Sequence, residues 1–412
     1  MKRHPVLSLR SNRLAATTRH RRGSIVMFVA MALLVVGACL ALVFDRLWLD
    51  AAQIELQAAA EAAALAGAGQ LASDARLQPP PVDLVAPARE AAIATGQKNF
   101  SVGTAVNLQD GDNGDVQVGT IEMSSENGHP EFVEETDRPT TCVVRAARLI
   151  SRGNPVALFF RELTSNTRGN VQAIAEASID NRIIGVQPGD KSPVPALPIA
   201  IMYTHADPRR EDTWMNMINR RLGTDLYGYD SETGEVTNGP DGIPEITLHT
   251  TYTSADAEEA SKVNALIMDI GTGMSERRVA EQIKTGWTVA QLKSFGGEFR
   301  TDQGPQILDV DAASNTPVMD ELQQLVGQAR ICGLYINHQP TSNVIGTAAI
   351  VDLAAIRILA IQEQGPTQMK MTVQPAVIAT RTALLSSHDA AWLSGDGTEQ
   401  TNPYIFKLFL SH

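Results

Sequence analysis

Cysteine is nearly absent: three residues in 412, with Cys39 inside an apolar run and Cys142 and Cys332 far apart downstream. No C-x-x-C spacing occurs, which excludes a zinc site and a disulfide framework. A bridge between Cys142 and Cys332 stays open if that part of the chain is exported; two unpaired buried thiols are the reading the spacing favours. Catalytic strings are missing as well. None of His129, His205, His249, His338, His388 and His412 stands in H-E-x-x-H or H-x-x-x-H, and there is no G-x-S-x-G elbow. The stretch "GVQPGDKS" (185–192) departs from a phosphate-binding loop, since three residues separate its glycines and Asp190 displaces Lys191. Acidic residues are missing from one region only. The first 44 residues hold Lys2, Arg3, Arg10, Arg13, Arg19, Arg21 and Arg22 and no Asp or Glu, leaving 27 of the 34 basic residues to face all 46 acidic ones. A body that acidic repels phosphate backbones, which excludes nucleic acid as a partner. Nothing in the sequence calls for a cofactor, a metal or a small-molecule substrate.

What is present begins with residues 23–44, from Gly23 to Phe44, 22 positions without a charged side chain. At about 1.5 Å per residue a helix of this length crosses a bilayer, and only a helix satisfies its backbone there. Arg19, Arg21 and Arg22 precede it and Asp45 follows, so the basic side sets the N-terminus in the cytoplasm and the C-terminal part outside. Two alternatives exist: a cleaved signal, and a lipoprotein signal ending at Cys39 in "VGAC". The run is longer than a signal core, and "LALVF" continues it past Cys39, so a permanent anchor is favoured.

Beyond Phe44 the helical pattern continues. Leu47, Ala51, Ile54, Ala58, Ala62 and Leu65 recur at steps of three and four, and neither Gly nor Pro interrupts before Gly67. Anchor and extension together read as a rod of about 45 residues and nearly 70 Å. Its small residues, Gly37 and Ala41 in the span and the alanines after it, fit either a bare stalk or a surface for partner helices.

The whole stretch "RRGSIVMFVAMALLVVGACLALVFDRLWLDAAQIELQAAAEAAALAGA" resembles the N-terminal segment of the TadE/TadG-like proteins of bacterial Flp (tight adherence) pilus assembly. The counterparts are Arg21, Arg22 and Gly23, then Asp45, then the stretch with Gln57, Glu61, Leu65 and Gly67, Glu61 standing where the family often has Asp. A weaker likeness follows through "GDVQVGTIEM", "TTCVVRAARLI" and "GNPVALFFRELTSNTRGNVQAIAEASI". The resemblance implies a bacterial inner-membrane protein whose partners are other pilus-assembly or envelope proteins. Met27 and Phe28 stand where prepilin-like members carry a Glu, so cleavage after Gly23 is not carried over. No D-x-S-x-S string occurs, and the metal site of von Willebrand factor A domains is not carried over either.

The expected organisation is α+β: residues 1–22 a basic cytoplasmic tail, 23–44 the transmembrane helix, 45–72 its alanine-rich extension, 73–185 a β-rich ectodomain, 186–198 a linker with Pro188, Pro193, Pro195 and Pro198, and 199–412 a mixed C-terminal domain. Strands are expected at 115–123, 141–150, 156–160 and 171–180, the last with a helical alternative. Helices are expected at 255–270, 275–283, 289–295 with a Thr288/Gln291 capping box, and 317–330. "AIRILAI" and "QMKMTVQPAVI" read as a hairpin. In "DGDNGD", Asp110, Asp112 and Asp115 are spaced like the start of a calcium loop. Ile121 stands where the closing Glu belongs, so a solvated turn is favoured. The functional expectation is a membrane-anchored, non-enzymatic pilus-assembly component with a periplasmic ectodomain. A membrane-tethered envelope hydrolase and a surface adhesin or ligand-binding protein are the alternatives.

Overall fold

The computed structural model describes residues 22–80, 82–111, 113–124, 128–160, 167–250, 263–311, 316–340, 345–363, 369–386 and 401–411. The chain forms two compact units, Met1–Gln53 with Arg148–Val171, and Ile54–Ala147 with Gln172–His412. The class is α+β: one long N-terminal helix, many strands and a few short helices.

Helix α1 runs Arg22–Leu71, 50 residues without a proline, or about 75 Å. Its first half is uncovered: Ile25, Phe28, Leu33 and Leu34 are each about two-thirds exposed. From Ala52 onward one face disappears, with Ala52, Leu56, Ala59, Ala60, Ala63, Ala64, Ala68 and Leu71 all at 1% exposure or less. This is not the face the sequence spacing picks out, because Leu47 and Ile54 are 58% and 70% exposed. Alanines stand on every side of this stretch, so periodicity alone does not choose a face; close approach does, by selecting the smallest side chains. One face of the alanine extension is therefore core rather than bare stalk, while Ile54, Glu55 and Ala58 stay exposed on the other.

At Gly67 three elements meet. A Cβ there would lie 2.5 Å from Cys142 Sγ, 3.0 Å from the Ala88 carbonyl oxygen and 3.3 Å from Ala92 Cβ. Ala88 and Ala92 belong to α2, Val85–Lys98, which the sequence reading missed. Its start is capped by Asp83, whose Oδ1 accepts from the amides of Val85 and Ala86 at 2.9 and 3.1 Å. At the other end of α1, Arg76 donates to the Leu71 carbonyl at 3.1 Å and to that of Pro139 at 2.9 Å. A cation thus closes the helix C-terminus, where the dipole favours it.

Cys142 sits on the strand Thr141–Arg148 of a six-stranded sheet, ordered Ile378–Ala379, Ile405–Leu410, Val171–Asp180, Thr141–Arg148, Val116–Met123, Pro130–Glu134. In Val171–Asp180, Val171, Ala173, Ala175 and Ala177 are buried while Gln172 and Ile174 are exposed. That period of two settles the element as strand rather than helix. The C-terminal strand pairs antiparallel with it, Lys407 opposite Asp180 and Leu410 opposite Ala177. The last residues of the chain thus complete a sheet begun near residue 116.

A seven-stranded sheet follows in the order Ile246–His249, Met369–Pro375, Ile345–Glu363, Gln306–Asp311, Ala265–Met268, Ala196–Met202, Ala329–Pro340. Ala329–Pro340 also pairs with Ile345–Glu363, so five of the strands close on themselves. The strand Ala196–Met202 is buried throughout, and Val186 and Val194 are fully buried. Within 186–198 the two ends are thus anchored in the core, while Gln187 and Gly189–Pro193 stay exposed. Pro195 still accepts from the Ile331 amide at 2.8 Å, and Pro198, lacking an N–H, falls where the register shifts between Ala196 and Ala200.

Of the expected helices, 275–283 appears as α3, Glu276–Thr285, and 289–295 as a 3₁₀ turn, Gln291–Phe295. The Thr288 amide donates to Gln291 Oε1 at 2.7 Å, one half of the capping box. The segment 317–330 divides into α4, Thr316–Gln323, and the start of the strand Ala329–Pro340. The helix expected at 255–270 is corrected: residues 251–262 lie outside the described residues, and Ala265–Met268 is a fully buried strand. Four consecutive buried apolar side chains suit a strand covered on both faces. The hairpin is found, with Glu363 opposite Met369.

Candidate functional site

The end of the uncharged span is where α1 first becomes covered. Asp45, the residue matching the acidic position of the resembled family, is only 5% exposed. Its Oδ1 accepts from the amide of Phe159 at 2.9 Å and from that of Phe160 at 3.3 Å. These two phenylalanines follow the strand Val156–Ala157, which forms a small hairpin with Arg168–Gly169. The aromatic rings line up along the helix. Phe160 lies 6.3 Å from Phe44 and Phe159 lies 4.8 Å from Trp48, centroid to centroid. The hairpin presses close: a Cβ on Gly169 would stand 2.4 Å from Leu49 Cδ2. Ala41 and Ala52, four residues before and seven after Asp45, are buried on the same stripe.

The chemistry of this arrangement is positional. A turn of chain after Ala157 has amides with no strand partner, and an unpaired buried amide costs about 1–3 kcal/mol. Asp45 supplies one acceptor for two of them. Asp45 Oδ2 has no hydrogen-bond partner among the described residues. Arg46 and Asp50, by contrast, form an exposed pair at 3.2 Å, contributing little.

The other family-matching positions lie deeper along α1. Gln57 Nε2 donates to Glu61 Oε1 at 2.9 Å and to the Ile174 carbonyl at 3.1 Å, which ties the helix to the edge of a strand. Leu65 is half-buried, and Gly67 is the close approach described above. Gly23 starts within the first turn of α1, whereas Arg19 and Arg21 lie outside the described residues.

The remaining sequence candidates do not assemble. Asp112 lies outside the described residues. Asp110 is exposed, 3.9 Å from Arg89, and Asp115 is buried, its Oδ2 accepting from the Gln109 amide at 2.9 Å. One carboxylate faces solvent while the other holds its own turn. Among the described residues no three His, Cys, Asp or Glu side chains converge as metal ligands would. Cys142 and Cys332 are both free and buried, so the bridge between them is not formed. Each is fixed in a different sheet, and burial pushes the Cys142 thiol up to about 12 and the Cys332 thiol up as well. His205 accepts from the Asp207 amide in an exposed turn, and Asp207 pairs instead with Arg209 at 2.9 Å. Trp214 and Trp287 are fully buried, against Tyr404 and Phe299.

Trp48, Phe159 and Phe160 were not singled out from sequence as a group. The available signal was "PVALFF", an uncharged run closing on two phenylalanines, whose proximity to Asp45 only the fold supplies.

Comparison with curated proteins and with solved structures gave no match. The stretch that contains the uncharged span, Asp45, Gln57, Glu61 and Gly67 does match a family: residues 23–70 fit the model of the putative Flp pilus-assembly TadE/G-like family.

Proposed function

We propose that this protein is a single-pass, non-enzymatic component of Flp-type pilus assembly, anchored in the bacterial inner membrane. Residues 23–44 cross the bilayer, Arg19, Arg21 and Arg22 hold the N-terminus in the cytoplasm, and the folded remainder stands in the periplasm. The observation that carries this reading is the match of residues 23–70 to the family, over a stretch that forms one unbroken helix. The first half of that helix is apolar and uncovered, and its second half is built into a folded body.

The test joins topology to phenotype. Alkaline phosphatase fused after His412 is expected to be active and the chain to resist carbonate extraction; deleting the gene is expected to abolish Flp pili without affecting other envelope hydrolytic activities. A soluble cytosolic chain, a mature N-terminus beyond residue 50, or normal piliation in the deletion strain overturns the reading.

A further inference from the structure

We propose that the turn after Val156–Ala157 is a second membrane contact, placing Phe159 in the lipid interface beside the end of the span, with Asp45 as the residue that positions it. The inference rests on the anchor reading above. Three observations carry it. First, Phe160 packs on Phe44 and Phe159 on Trp48, and Phe44 is the last residue of the uncharged span; the turn lies at the depth where that span ends. Second, Phe159 is 64% exposed, and Phe44 and Leu47 of the helix are 57% and 58% exposed. Phe159 packs on Trp48, one turn beyond Phe44, so its exposed ring stands at the end of the uncovered apolar stretch of α1. Third, Ala41 is already buried, so α1 is covered one turn before the uncharged span is over.

Lipid is the occupant that this geometry fits. Aromatic side chains concentrate at the membrane–water boundary, where an apolar ring is buried near polar headgroups. Irregular backbone at that depth is tolerated only if its amides are satisfied by protein, and Asp45 does this for Phe159 and Phe160. Arg46 and Asp50, exposed and paired, supply the polar side of the same boundary. An acidic residue just after the span thus has a role distinct from topology: it lets a loop return to the membrane surface.

The experiment uses the full chain with Cys39→Ser, which leaves Cys142 and Cys332 as buried thiols of suppressed reactivity. Single cysteines are introduced as Phe159→Cys, Val35→Cys and Val133→Cys, labelled with an environment-sensitive fluorophore, and reconstituted in phosphatidylglycerol/phosphatidylethanolamine vesicles. Emission at position 159 is expected to shift to the blue and to be quenched by lipid carrying a spin label near the headgroup. Position 133, on an exposed strand, should be quenched by aqueous iodide instead. Asp45→Ala is expected to abolish lipid quenching at position 159 and leave it intact at position 35; Asp45→Asn, which keeps an acceptor, should retain most of it. Lipid quenching at 35 with iodide quenching at 159 overturns this inference and spares the anchor. Failure at 35 overturns the anchor itself. Protection of 159 from both quenchers assigns the surface to protein, such as a second copy, and also overturns the inference.

Discussion

Gly67 lies inside α1, four residues before its last, where glycine costs up to about 1 kcal/mol relative to alanine, yet alanine has no room: Cys142 Sγ, the Ala88 carbonyl and Ala92 Cβ all crowd the site. Overpacking of this kind costs about 1–3 kcal/mol, and Cys142, fully buried on a central strand, cannot turn away. Gly67→Ala is therefore expected to lower stability by about 1–2 kcal/mol despite the better helix propensity, and Cys142→Ala in the same chain to restore most of the loss. Thermal unfolding in detergent measures both; a rise in midpoint for Gly67→Ala alone contradicts the packing argument. Asp241 offers a test with pH. Burial pushes its carboxyl up, against the pull of hydrogen bonds from the Ile243 amide and Gln374. A raised acid favours folding fully only below its unfolded value, and that contribution is lost as pH rises through the folded value. Ionised Asp241 therefore opposes folding at neutral pH. Asp241→Asn, which keeps an acceptor for the Ile243 amide and cannot ionise, is expected to stabilise the protein at pH 7. The gain should shrink as pH falls below the ordinary carboxylate range; a gain that grows in acid refutes the assignment.

Among the elements, the C-terminal strand Ile405–Leu410 carries more than its length suggests. It lies between Val171–Asp180 and Ile378–Ala379, and Ile405 and Phe406 are buried, as is Tyr404 just before it. Each such side chain is worth about 1.5–3 kcal/mol on burial, against a total stability of about 5–15 kcal/mol for a typical fold. Ending the chain after Pro403 is expected to abolish cooperative unfolding and the protease resistance of the ectodomain. The fluorescence of Trp214, whose Nε1 reaches Tyr404 Oη at 3.3 Å, should shift to the red. Survival of a sharp transition would mean that the sheet stands without this strand. The same element marks the limit of sequence reading. Strand character along "IFKLFL" is plain, but its partner lies more than two hundred residues away, and nothing local encodes that pairing. The strand at 265–268 was misread as helix for a related reason: four buried apolar residues carry no period of their own.

At the scale of the whole molecule, the uneven charge and the apolar run argue for the same arrangement. Seven bases and no acid precede Asp45; the proposed orientation rests on that asymmetry, and the reporter-fusion and extraction experiments test it directly. The body that follows is acidic, and one face of its alanine-rich helix half packs against α2 and the six-stranded sheet while the other stays exposed.

The sequence by itself determined the uncharged run, its basic flank and the likeness to TadE/G-like proteins, because length without charge and the sign of a flank are one-dimensional properties that need no reference to the rest of the chain. It determined the late hairpin, whose two strands are neighbours in sequence, and left 171–180 open between strand and helix until burial settled it. Only the tertiary structure decided which face of α1 is buried, that Val194 and Ala196–Pro198 enter the core, and that Asp45 meets Phe159 and Phe160. Each of those outcomes depends on how closely two distant backbones approach, and where alanines stand on every side of a helix that distance is set by the partner.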